Sequence, residues 1–228
     1  MKLGPSQIRE LAVLISYEQE FNPQLSLDKA FNHIIHNHDK LNQKVKFEEL
    51  TEEEFVEFEN YAIKLKENIE NFSAKNHFDK FLDKDEVLAE DVDVPDYLRV
   101  LVEGVKANRF EIDQMIDKHI QGNWSVQRLE LINLQILRVA VFEILFTDET
   151  VVPNIVAVNE AIELAKFYSD DRARKFINGV LSNILNDVNE TKADKENVAA
   201  TEQVELETDA FEELVGNVEV LHEDLPEA

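Results

Sequence analysis

Three cations fall within four residues at Arg172, Arg174 and Lys175, and Lys166 stands six residues before them. Such a cluster can neutralise phosphate. If it opens a helix, the backbone N–H groups of the first turn add to the same anion site. Phe176 follows directly. An aromatic ring beside cations can stack a nucleobase, a contact contributing ~1–3 kcal/mol per base. Each feature also has a plainer reading. Asp170 and Asp171 can partner the cations in a solvated turn, and Phe176 can pack in the core as most phenylalanines do. Lys2 and Arg9 supply two more cations near the start of the chain.

Other polar residues invite structural readings. Arg138 lies in the most apolar stretch, so it needs a carboxylate, and Glu160 or Glu163 on a neighbouring helix would serve, with an RNA contact as the alternative. Asn159 and Asn178 are amides on largely apolar helices, where satisfying backbone groups at a helix crossing is the common role. Gly179 inside a helix costs about 1 kcal/mol relative to Ala, which close approach of a neighbouring helix would offset. His33, His36 and His38 resemble a metal triad only at first sight. His38 leaves the face shared by the other two, and no HExxH pattern accompanies them.

The chemistry of catalysis is missing from the pattern. With no cysteine there is no disulfide, thiolate site or Cys nucleophile. No phosphate-cradling Gly-rich loop and no Walker lysine occur, and no cofactor is expected. The net charge of −25 repels a phosphate backbone on average, so any RNA binding must use a local basic patch. The opening MKLGPSQIRE lacks an apolar signal core, and the apolar runs fall far short of the ~20 residues of a membrane span. The expectation is a cytoplasmic protein that contacts no membrane.

The elements that position these residues read as helices throughout. Pro5 suits a first helical position, followed by Ile8, Leu11, Ala12 and Ile15 on one face. A second helix is predicted over Leu25–His36 and a connection over Lys40–Leu50. Thr51 and Glu54 form a capping box ahead of the seam Phe55, Phe58, Ala62, Leu65, Ile69 and Phe72. Residues 78–93 are ambiguous. Pro95 opens a helix with Leu98, Leu101 and Val105 inward, and Asn108 caps a continuation through Ile112, Ile116 and Ile120. Gln121-Gly122-Asn123 is a turn. Leu129–Phe146 is apolar nearly all round, as an enclosed central helix would be. Pro153 starts the next, with Ile155, Val158, Ile162 and Ala165 inward. Ser169 is the predicted N-cap of the last helix, whose buried stripe is Ile177, Val180, Leu181, Ile184 and Val188.

The fold class is therefore all-α, over 1–189. Residues 190–228 carry 13 acidic and 2 basic side chains and have the charge of a disordered tail. Such a tail can solubilise, or it can compete with RNA for the cations. In the second case a chain ending at Asn189 would bind RNA more tightly at low salt.

Ordered motifs then carry a resemblance. They are Tyr97-Leu98, the run Leu101 to Val105, Trp124, the run Ile136 to Ile144, the run Val158 to Lys166, and the run Lys175 to Leu181. Together they resemble the C-terminal half of the NusB family. Arg9, Ala12 and Tyr17 fit that family's opening helix, with Lys2 and Arg9 in place of its usual arginine cluster and Leu14 where Gln is typical. The resemblance implies a compact fold of two packed helical subdomains and no catalytic activity. It implies RNA contacts at Lys2, Arg9, Lys166, Arg172, Arg174, Lys175 and Phe176, and partner contacts at Tyr17 and Asn133. The implied partners are boxA RNA of ribosomal RNA transcripts, the small-subunit ribosomal protein NusE and the antitermination complex of RNA polymerase. A homodimer stays open. Two alternatives remain: a protein-interaction module with weak or lost RNA binding, and a fragment of an rRNA cytosine methyltransferase carrying a similar N-terminal domain.

Overall fold

Apolar residues on every face of one segment leave it a single place to go, the centre of the molecule. That segment is α6, Leu131–Phe146, and every residue from Asn133 to Ile144 is buried. A computed structural model of the protein describes residues 3–36, 51–75, 92–121 and 125–193. Among them there are helices and no strand. Met1–Leu185 form one compact unit and Asn186–Ala228 a second.

In the first unit, α1 (Pro5–Phe21), α4 (Asp96–Ala107), α5 (Arg109–His119) and α7 (Asn154–Tyr168) pack around α6. α2 (Leu27–His36) leans on α1, and α3 (Glu52–Lys75) on α4. A 3-10 turn, Val126–Arg128, leads into α6. α8 (171–193) contributes Ile177, Val180, Leu181 and Ile184 to the core.

Proline marks the starts as expected. Pro5 occupies the first turn of α1, where the Gln7 side chain accepts the Gly4 N–H at 3.0 Å. Pro95 and Pro153 are the N-caps of α4 and α7. The close helix approach lies at Gly104 on α4, not at Gly179. A Cβ on Gly104 would sit 2.3 Å from the Phe142 ring, whereas one on Gly179 meets nothing within 4 Å. The ring of Phe142 thus lies against the α4 backbone, and only glycine leaves it room.

Three other expectations change. Ile155 points outward, at 56% exposure. Asn159 and Asn178 are exposed, so neither satisfies a buried helix crossing. The α8 cap is Asp170, whose carboxylate accepts the Ala173 N–H at 2.7 Å, while Ser169 closes α7. The side chain of the capping-box partner Glu54, the turn at Gly122-Asn123, most of 78–93, His38 and the tail from 194 lie outside the described residues.

Candidate nucleic-acid interface

The interior charges come first, because they decide which cations remain for a ligand. Arg9 is 3% exposed. Its Nε lies 2.9 Å from both carboxylate oxygens of Glu143, and its Nη1 is 4.0 Å from Glu160. The Tyr97 hydroxyl donates to Glu143 and the Ser6 hydroxyl to Glu160, the latter at 3.0 Å. Burial opposes the Arg9 charge, but Glu143 and Glu160 outweigh it and hold the guanidinium firmly protonated. Burial also pushes the Glu160 carboxyl above the usual range, with Arg9 and Ser6 only partly offsetting it. Arg9 is therefore a core cation joining α1, α6 and α7. Its expected RNA contact is withdrawn, because the guanidinium is enclosed and directed at carboxylates.

Arg138 forms a second interior group. It pairs with Asp113 through two bonds of 2.8 Å and with Glu20 at 2.9 Å, rather than with Glu160 or Glu163. Glu20 also takes Arg109 at 2.9 Å and Gln135 at 3.2 Å. Burial works against the Glu20 charge, yet Arg109, Gln135 and Arg138 bring its pKa below the usual value. The floor of the adjoining cleft, about 150 Å³ between α1, α4, α5 and α6, is thus satisfied from within.

The cationic corner lies apart from these interior groups. The last turn of α7, the two-residue link Ser169-Asp170 and the first turns of α8 bring Lys166, Arg172, Arg174, Lys175 and Phe176 to one end of a helix pair. Lys166 pairs with Glu163, and Arg174 with Asp171 at 3.0 Å. Arg172 and Lys175 are exposed and make no ion pair among the described residues. Phe176 is half-buried, between its two readings. Asp170 caps α8, so its carboxylate occupies part of the anion site that the helix start would offer.

The two implied partner residues separate. Tyr17 is half-buried, its ring 5.2 Å from that of Phe21. Asn133 is 6% exposed and engaged at both ends of its amide, accepting the Ser169 hydroxyl at 2.5 Å and donating to Glu130 at 3.2 Å. A direct contact from Asn133 to another molecule is therefore withdrawn. Lys2 lies outside the described residues. Of the histidines, His33 lies 4.0 Å from Glu18 and His36 bonds the Asn32 carbonyl at 2.7 Å.

Sequence reasoning missed two features. Tyr168 donates its hydroxyl to Glu10, a buried carboxylate of α1. Phe21 and Phe110 are 70% and 77% exposed, next in the chain to the paired Glu20 and Arg109. Phe110 was detectable, since it falls outside the Ile112, Ile116 stripe.

Among the described residues the chain is all-helical, with Arg9 and Arg138 paired in its interior and Arg172 and Lys175 exposed at the α7–α8 junction. A family model described as the NusB family matches residues 61–186, more than half of the chain. The transcription antitermination protein NusB of Enterococcus faecalis is 52% identical over 108 residues, covering 46% of this chain and 69% of that protein. That of Levilactobacillus brevis is 52% identical over 102 residues, covering 45% and 70%. A solved structure of T. maritima NusB is 22% identical, with a TM-score of 0.49 over 82% of this chain and 93% of that one. The chain belongs to the NusB family, and the two relatives above are both transcription antitermination proteins. No helix among the described residues is long and apolar enough to cross a membrane.

Proposed function

We propose that the protein is an adaptor that binds boxA-type single-stranded RNA jointly with the small-subunit ribosomal protein NusE, as part of the antitermination complex of RNA polymerase. The observation that carries this reading is the α7–α8 corner. Arg172 and Lys175 project there without an ion-pair partner among the described residues, beside the half-buried Phe176, in a chain of net charge −25. Cations in so acidic a chain are mostly neutralised by neighbours. Arg172 and Lys175, at a helix start and next to an aromatic ring, suit a phosphate and its base.

The same observation sets the strength. Two such cations at the corner neutralise few phosphates, so the protein alone binds RNA weakly, and a basic partner extends the positive surface. The double variant Arg172→Glu with Lys175→Glu tests the reading by titration of boxA RNA in the presence of the ribosomal protein. Weakening by about tenfold or more, with a shallower salt dependence, is expected. Unchanged affinity would place the RNA elsewhere.

The second reading is a module that binds protein with RNA binding reduced or lost. The burial of Arg9 and the pairing of Lys166 and Arg174 favour it, because they remove three of the expected RNA cations. Under that reading the ribosomal protein binds and the RNA adds nothing.

A further inference from the structure

Asn133 sits in the first turn of α6, almost out of contact with solvent. Its Oδ1 accepts the Ser169 hydroxyl at 2.5 Å, and its Nδ2 reaches back to Glu130 at 3.2 Å. Ser169 is the extended residue that ends α7, and the next residue, Asp170, caps α8. One side-chain hydrogen bond thus ties the base of the central helix to the two-residue link between α7 and α8. A second tie lies one residue before it, where the Tyr168 hydroxyl donates to Glu10 of α1.

The helices do not need these bonds to pack. Leu164, Ala165, Ile177, Val180 and Leu181 already bury apolar surface on both sides of the link. A buried neutral hydrogen bond adds only ~0.5–1.5 kcal/mol net, but it has a direction, which apolar contacts lack. The direction of α8's first turn is decided at the link, because a two-residue connection has few dihedrals to adjust. Arg172 and Lys175 stand on the first turns of that helix.

We infer that Asn133 is a positioning residue for the RNA corner, acting through Ser169 to aim the turn that carries Arg172 and Lys175. It takes the place of the partner contact that the resemblance implied at this position. The inference rests on the RNA reading of the corner.

The test uses the full chain, the purified ribosomal protein and a boxA RNA oligonucleotide. Asn133→Ala weakens RNA binding about threefold to tenfold, the scale of one lost hydrogen bond. It also makes the salt dependence shallower by about one phosphate contact. Ser169→Ala does the same, the double variant is no weaker than either single one, and Ser169→Thr, which keeps the donor, binds like the original. Binding of the ribosomal protein without RNA is unchanged. An Asn133→Ala chain that unfolds at lower denaturant yet keeps RNA affinity and salt slope overturns the inference and leaves a structural role. One that loses the ribosomal protein without RNA present overturns it in favour of direct contact. If Arg172→Glu with Lys175→Glu weakens RNA binding and Asn133→Ala does not, the positioning role alone fails. If neither does, the corner reading fails and takes this inference with it.

Discussion

Replacing Arg9 by Met removes the charge that serves two buried carboxylates while keeping much of the side chain's length. Arg9 is 3% exposed and Glu143 1%, and they meet at 2.9 Å, so the pair is shielded from water and salt. Breaking a buried pair by deleting one partner costs ~3–5 kcal/mol, because the other charge stays buried. Here each carboxylate keeps a hydroxyl donor, Tyr97 for Glu143 and Ser6 for Glu160. We therefore expect the low end, about 3 kcal/mol, in urea unfolding followed by helical circular dichroism. The deficit carries a pH signature. Without Arg9, the burial that already raises the Glu160 carboxyl loses its main opposing charge, and the folded-state pKa of Glu160 rises further. Folded values above unfolded ones mean stability that is present at low pH and lost as pH rises. The gap between variant and original should be small near about pH 4 and widen toward about pH 7. A loss below about 1 kcal/mol, as for an exposed pair, would refute the buried pairing. So would a deficit that does not change with pH.

Three further substitutions probe other contacts. Gly104→Ala forces a methyl into the Phe142 ring and should cost about 1–3 kcal/mol in the same unfolding assay. Gly179→Ala enters open space on an exposed helix face and should stabilise by about 0.5–1 kcal/mol. If both changes behaved alike, the close helix approach would not be at Gly104. Glu160→Gln removes a carboxyl whose pKa burial raises, a group whose stabilising protonation is lost as pH climbs through its folded value. The variant should therefore gain on the original between about pH 4.5 and about pH 7, and a difference constant across that range would exclude Glu160 as the titrating group.

Much of the fold was legible because single segments carry it. The apolar circumference of Leu131–Phe146 allows only an enclosed helix. Pro5, Pro95 and Pro153 start helices for reasons local to the backbone. The charge partners were not legible, because they are set by distant chain. Arg9 meets Glu143 134 residues away, and Arg138 chooses Asp113 and Glu20 over the carboxylates of α7. Nothing in local spacing distinguishes those acids from the many others. Ile155 misled through phase. Ala157, Val158 and Ala161 define a buried face that a 3.6-residue period places away from it. Likewise Gly104 and Gly179 are both mid-helix glycines, and only the Phe142 ring opposite one of them separates a required glycine from a tolerated one. At the corner, the sequence grouped the cations correctly along the chain. It also offered Asp171, which pairs with Arg174, but not Glu163, which pairs with Lys166.

The adaptor reading is tested most directly by the coupling between its two ligands. A fluorescent boxA RNA oligonucleotide is titrated with the full chain at fixed salt, alone and with saturating ribosomal protein. With only Arg172 and Lys175 unpaired at the corner among the described residues, binding alone should be weak, and the partner should tighten it by at least about tenfold, a coupling of roughly 1.4 kcal/mol. A boxA affinity that the ribosomal protein leaves unchanged would contradict joint binding.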